Sequence, residues 1–216
     1  MREFNFRNLA IYLFGLFILA VGVAFSINAN LGISPVNATP YVTSLILNLS
    51  VGNGLIIFFV LLILFQRVIL RKKFKLSNFS QILAAILFGV FVDFSIFLIG
   101  DFAFFTHLYI GRVLTLLFSI FILSLGLALY VRSKLIPMPP EGVLLALISL
   151  FPKYSIGTMK IFFDICIVIL AIILSLIFLG GLYGVREGTI FTALVMGRAM
   201  SSWDKFFNFI LKVTKK

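Results

Sequence analysis

Apolar runs of about 20 residues recur along the whole chain, separated by short polar or basic stretches. Six of them, at roughly 8–28, 54–70, 79–99, 111–131, 157–179 and 188–203, are candidates to cross a bilayer. A hydrocarbon core of about 30 Å needs about 20 helical residues at 1.5 Å each. The last run is short and contains Arg198. Two further apolar runs, about 36–49 and 140–151, are shorter still. Each follows a proline-bearing stretch, Leu31-Gly32-Ile33-Ser34-Pro35 in one case and Ile136-Pro137-Met138-Pro139-Pro140 in the other. Segments of that length read as half-helices, re-entrant or interfacial, and not as spans. The expected fold is an all-α membrane protein with six transmembrane helices and two short broken helices.

An internal repeat organises these elements. A shift of 104 residues aligns Leu13, Phe14, Phe17, Ile18, Leu19, Gly22, Ala24, Leu31 and Pro35 with Leu117, Phe118, Phe121, Ile122, Leu123, Gly126, Ala128, Leu135 and Pro139. One added residue then matches Ser50 and Gly52 to Ser155 and Gly157, and a few more match Gly89 to Gly197. Each unit is a span, a proline-led half-helix and two more spans. Residues 1–104 form the first unit, 105–203 the second, and 204–216 an amphipathic tail, all within one membrane domain. Three crossings is an odd number, so the second unit enters the membrane from the opposite side and the repeat is inverted. Broken helices at matching places in inverted halves point to a binding site at the bilayer midplane of a transporter. A duplicated scaffold without a solute path is the alternative.

Composition agrees with the class. Of 216 residues, 62% are hydrophobic and 12% charged, against roughly 45–50% and about 25% in soluble domains; mean hydropathy is +1.21. A soluble enzyme, a nucleic-acid binder and a disulfide-stapled secreted domain are excluded. The net charge of +11 reads as loop charge facing anionic lipid. With the N-terminus cytoplasmic and six crossings, Arg2, Arg7, Arg67, Arg71, Lys72, Lys73, Lys75, Arg132, Lys134, Lys153, Lys205, Lys212, Lys215 and Lys216 share the cytoplasmic side. Only Arg112 and Arg186 face outward. That asymmetry is expected to place both termini in the cytoplasm.

Cys166 and His107 each stand alone, so an intrachain disulfide, a thiolate metal site and His-based catalysis lack partners. No P-loop or GxSxG is present. No enzyme activity, cofactor or metal is expected.

Candidate chemistry lies at the breaks and inside the spans. Irregular backbone at membrane depth must lie inside protein or line a water-filled cavity, which puts Ser34–Asn37 and Pro137–Glu141 within the bundle. Half-helix N-termini at the midplane would favour an anionic group. Asn37 and Glu141 are repeat-equivalent, each two residues after the aligned proline; Glu141 could equally do no more than stabilise its own helix start. Asp93, Lys160, Asp164 and Arg198 are the ionisable residues within spans, and such residues are costly in hydrocarbon and usually functional. Lys160 and Asp164 are four apart and share a helical face. The ligand-binding candidates are therefore Ser34, Asn37, Glu141, Lys160, Asp164 and Arg198, with Glu141 or Asp164 able to carry a coupling proton. A structural ion-pair network joining the fifth span to the sixth competes with that reading, as does Lys160 snorkelling to the membrane edge. Trp203, Phe206, Phe207, Ile210, Leu211 and Val213 alternate with Lys205, Asn208, Lys212 and Lys215, the pattern of an interfacial anchor with a basic face.

The pattern Leu31-Gly32-Ile33-Ser34-Pro35 followed by Ser50-Val51-Gly52 resembles the YczE/YyaS/YitT-type family of bacterial integral membrane proteins. The second half agrees in Pro139-Pro140-Glu141-Gly142, Ser155-Ile156-Gly157 and Glu187-Gly188-Thr189. Members of that family usually carry an acidic residue after the first proline, where this chain has Asn37. The resemblance implies a multi-pass protein of the bacterial cytoplasmic (inner) membrane and supplies no catalytic residues.

The expected function is a secondary transporter or facilitator of a small polar or anionic solute. The alternatives are a substrate-binding membrane subunit of an ATP-driven importer and a non-transporting scaffold or assembly factor. The lipid bilayer is the expected environment, no nucleic acid is a partner, and a homo-oligomer is left open.

Overall fold

A computed structural model describes residues 5–100 and 107–213, and among them the only regular secondary structure is helical. Eight α-helices follow in the order long, short, long, long, twice over: α1 (Phe6–Ala29), α2 (Pro35–Leu47), α3 (Val51–Leu70), α4 (Gln81–Ile99), α5 (Tyr109–Ser133), α6 (Pro139–Leu150), α7 (Ile156–Leu179) and α8 (Glu187–Val213). Helices α1, α3, α4, α5 and α7 are long and apolar enough to cross a membrane. The unit boundary expected at 104/105 lies outside the described residues, as do Arg2, Lys215 and Lys216.

Local chemistry sets most of the helix ends. Asn5, Ser50 and Ser155 cap α1, α3 and α7 by accepting the amides of Arg7, Asn53 and Thr158, each satisfying one otherwise orphan donor. Both short helices begin with proline at the first position, where its missing N–H costs nothing and its fixed φ suits the helix. Pro40 lies inside α2 and removes the amide that would bond the carbonyl of Val36. Helices α1, α2 and α5 end at Asn30, Asn48 and Lys134 in the left-handed region.

The amphipathic tail is not a separate element. Helix α8 runs unbroken for 27 residues, about 40 Å at 1.5 Å per residue, so the boundary expected at 203/204 has no counterpart. No glycine or proline interrupts the sequence from Arg198 to Val213. Its continuation is held against α5: Trp203 donates to Ser124 Oγ at 3.1 Å, and Arg132 donates to Asn208 Oδ1 at 2.7 Å.

Helices α1 and α5 form the central seam and run antiparallel. A Cβ at Gly15 would lie 2.5 Å from the Tyr130 amide nitrogen, and one at Gly22 would lie 2.8 Å from that of Leu123. Phe25 meets Phe118 edge-on at 5.0 Å between ring centres. The contact is reciprocal at the crossing. Gly22 packs on the backbone of Leu123 while its repeat-equivalent, Gly126, packs on the backbone of Leu19, the equivalent of Leu123. Only glycine permits such close backbone approach.

The remaining packing joins long helices within each half and exchanges the short helices between the halves. Helix α4 lies parallel to α1, with Phe17 against Phe91 and Asn28 Nδ2 donating to the Gly100 carbonyl at 2.8 Å. Helix α8 lies parallel to α5, with Phe121 against Trp203. The short helix of each half packs on a long helix of the other, α2 on α7 and α6 on α3. Thr39 Oγ1 donates to the Ile167 carbonyl at 2.7 Å, and Gln66 Nε2 donates to the Pro139 carbonyl at 3.1 Å. These directions put the start of α1, the end of α3, the end of α5 and the end of α8 at one end of the bundle. Arg7, Arg67, Arg71–Lys73, Lys75, Arg132, Lys134, Lys205 and Lys212 follow in sequence to that basic end, while Arg112 and Arg186 lie at the opposite end.

Candidate functional site

The starts of both half-helices face the same space. Ser34, Pro35, Val36 and Asn37 at the start of α2, and Met138, Pro140 and Glu141 at the start of α6, line one cavity of about 430 Å³. Leu19 and Leu123, halfway along α1 and α5, form part of its wall. Lys160 and Asp164 of α7 and Arg198 of α8 complete it. All six residues singled out from the sequence, Ser34, Asn37, Glu141, Lys160, Asp164 and Arg198, thus border a single cavity although they span more than 160 positions.

Their bonding differs from residue to residue. Asn37 Nδ2 donates to Ser34 Oγ at 2.9 Å, and both residues are buried. Lys160 Nζ donates to Asp164 Oδ2 at 2.8 Å within one helical turn; the aspartate side chain is 14% exposed and the lysine 45%. A bond within α7 cannot tie the fifth span to the sixth, and Arg198 makes no ion pair among the described residues. Three oxygens bordering the cavity are buried without a protein partner: Glu141 Oε2, Asp164 Oδ1 and Thr192 Oγ1. A buried acceptor left unpaired costs about 1–3 kcal/mol, so these three oxygens are free acceptors at the cavity's edge.

The α6 start is a poorer anion site than a helix terminus usually is. Pro139 and Pro140 have no N–H, and the Gly142 amide is already bonded to the Met138 carbonyl at 2.9 Å. Glu141 adds a carboxylate in the same turn. At the α6 start the cavity therefore offers acceptors more readily than donors, while Lys160 and Arg198 bring donors to another part of its wall. Much of its wall is apolar, including Phe59 stacked on Phe88 at 6.1 Å and 9°.

Several positioning residues escape a search confined to ionisable groups. Gln66 and Gln81 exchange two amide hydrogen bonds of 3.0 Å each, and Gln66 also holds the Pro139 carbonyl. A Cβ at Gly142 would meet both glutamines, at 2.6 Å for Gln66 Oε1 and 2.5 Å for Gln81 Oε1. This pair fixes where α6 begins and hence where Glu141 stands. The signal was a neutral amide at the end of one apolar run and another at the start of the next. Gly32, at φ +99°, turns the chain into the bundle ahead of α2, and a side chain there would strike Thr189 Oγ1 and the Arg186 amide. Asp93 is not part of the cavity. Its Oδ1 accepts the Gly52 amide at 2.7 Å and so caps α3 from α4.

A helical bundle with five membrane-length apolar helices, and a polar-edged cavity between two broken helices, defines a membrane protein of polytopic type. The chain belongs to a family of unknown function, DUF6198, whose sequence profile matches residues 6–205. It is similar to the uncharacterized protein YyaS of Bacillus subtilis, with 25% identity over 86% of this chain and 87% of that one. No solved structure matches it.

Proposed function

We propose that the protein is a membrane transporter or facilitator for a small polar solute, built as an inverted three-span repeat with six crossings. In this reading α8 is the sixth crossing, and the basic end is cytoplasmic by the positive-inside rule. One observation carries the proposal: the starts of two half-helices from different halves, with four ionisable side chains, border one cavity halfway along the bundle. Broken helices aimed at a shared midplane site are the architecture of secondary transporters. The antiparallel α1–α5 seam and the reciprocal Gly22–Leu123 and Gly126–Leu19 contacts support inversion, since a two-fold axis in the membrane plane relates such pairs. The solute class follows from the unpaired oxygens of Glu141, Asp164 and Thr192: a group that donates hydrogen bonds, an amine or a hydroxyl, fits them better than a bare anion. Glu141 and Asp164 are the residues that would carry a coupled proton.

Solvent access tests this without a known solute. In a Cys166→Ser background, Asn37→Cys and Glu141→Cys are reconstituted in liposomes and treated with a membrane-impermeant thiol reagent from either side. Labelling of Asn37→Cys and Glu141→Cys from both faces, in separate preparations, is the expected result. Protection of both from both faces would leave a dry, packed centre and defeat the proposal.

A further inference from the structure

The two halves share the same helix pairings except at one seam. Helices α3 and α4 pack along their length, and at the end away from the basic residues their backbones touch at Gly52 and Gly89. A Cβ at Gly89 would lie 2.7 Å from the Gly52 carbonyl oxygen. Asp93 closes the seam further by accepting the Gly52 amide at 2.7 Å. The repeat-equivalent glycines are Gly157 on α7 and Gly197 on α8. A Cβ at Gly197 would meet nothing within 4 Å, and one at Gly157 would meet only the Ser155 hydroxyl of its own cap, at 3.8 Å. Helices α7 and α8 lack the packed seam that α3 and α4 share. The cavity opens through that gap, with Gly157, Lys160 and Ile161 on one side and Ala193, Gly197 and Arg198 on the other.

We infer that the α3–α4 and α7–α8 seams are two gates of one alternating device, and that this structure holds the first shut and the second open. The inference rests on the transport reading above and deepens it by naming the moving contact. Closure brings Gly157 onto Gly197 as Gly52 now meets Gly89, while the α3–α4 seam parts. The physical basis is that both glycine pairs occupy equivalent places in halves with exchanged packing, so the same backbone contact is available at each. Packed interfaces are bistable and not continuously deformable, which makes two discrete states the natural outcome. Ser201, at the same spacing after Gly197 that Asp93 has after Gly89, supplies the hydroxyl oxygen that can accept the Gly157 amide. With the basic end cytoplasmic, the present state is inward-facing.

Disulfide trapping tests the closure. Gly157→Cys and Gly197→Cys are introduced together in the Cys166→Ser background in proteoliposomes. A disulfide needs Cα atoms about 4.4–6.8 Å apart, so oxidation by copper phenanthroline removes both maleimide-reactive thiols only if the gap closes. Loss of both thiols, restored by reductant, is expected; two thiols that stay free overturn the inference. A second variant, Gly197→Leu, puts a wedge at a position with open space and should leave the fold and the Trp203 fluorescence unchanged. It should slow outer-face labelling of Asn37→Cys by at least about tenfold, because the closed seam becomes inaccessible. Unslowed labelling overturns the gate and leaves the transport reading standing. If Asn37→Cys is never reached from the outer face in the parent protein, the transport reading fails first and the gate falls with it.

Discussion

Alanine in place of Gly22 or Gly126 should loosen the centre of the molecule by an amount that the α1–α5 crossing makes calculable. A methyl group at Gly22 would lie 2.8 Å from the Leu123 amide nitrogen and 3.0 Å from its Cα, and one at Gly126 would lie 2.7 Å from the Leu19 Cα. Ordinary contact begins near 3.4 Å, and the Gly126 methyl would sit closer still to the Leu19 amide nitrogen, so each substitution forces the helices apart by about 0.6 Å or more, and gaps of that size forfeit a quarter to a half of each atom pair's attraction. Apart from the Leu123 Cγ beside Gly22, the contacted atoms are backbone, which cannot swing aside as a side chain can. Overpacking of this kind costs about 1–3 kcal/mol. Because both methyls wedge the same crossing, the second is partly accommodated once the first is present. The double substitution should therefore cost less than the sum by at least about 0.5 kcal/mol. Gly197→Ala provides the contrast. It is the same exchange inside a helix but meets nothing, and it should be neutral or stabilising by up to about 1 kcal/mol through helix propensity. The assay is unfolding in mixed dodecylmaltoside–SDS micelles followed by the single tryptophan, Trp203, which packs on Phe121 of α5. Strictly additive Gly22 and Gly126 effects, or a Gly22→Ala cost below about 0.5 kcal/mol, would refute the close-packed crossing.

Other contacts make separate predictions. Gln81→Leu leaves Gln66 without its amide partner and should destabilise by about 1–3 kcal/mol; in a cycle with Gln66→Leu the two should couple by about 0.6–1.7 kcal/mol, the range seen for hydrogen bonds inside membranes, and zero coupling would dismiss the pair as the anchor of α6. Thr39→Val removes the bond to the Ile167 carbonyl, and hydrogen exchange in α2 should quicken while exchange in α4 stays unchanged. Arg132→Ala removes the bond to Asn208, the 3.9 Å ion pair with Asp204 and the ring contact with Phe207; exchange should quicken over residues 204–213, with a cost below about 1 kcal/mol because the ion pair is partly exposed. Lys160→Ala strands Asp164 without its ammonium partner, and both this variant and Asp164→Asn should alter labelling of Glu141→Cys more than they alter stability.

Element identity was legible in the sequence because a membrane helix is a one-dimensional fact. Length and apolar content of a run decide whether it is a span-length helix or a half-helix, and proline marks where the half-helix begins. The expected runs and the observed helices differ by three residues or fewer at nearly every end. The exception was the end of α8, where a change from apolar to amphipathic sequence suggested a new element. Backbone hydrogen bonding continues through such a change when no glycine or proline stops it, and the α5 contacts of Trp203 and Arg132 hold the extension in place.

The candidate cavity was half legible. Charged residues in apolar runs and matching prolines pointed to Ser34, Asn37, Glu141, Lys160, Asp164 and Arg198 one by one. Gln66, Gln81, Thr39 and Thr192 gave no comparable signal, because neutral polar groups are unremarkable until their burial and partners are seen. Asp93 carried the same signal as Asp164 yet serves as a cap on a neighbouring helix, a role set by where α4 lies relative to α3.

The sequence by itself determined the class of protein, the order of long and short helices and the basic bias of the loops, since each depends only on composition and spacing along the chain. Only the tertiary structure decided that α1 and α5 run antiparallel through reciprocal glycines, that the half-helices exchange partners, and that two equivalent seams differ. Those facts depend on which surfaces meet across more than 100 residues of chain, and identical local patterns such as Gly52 with Gly89 and Gly157 with Gly197 can satisfy themselves in contact or apart.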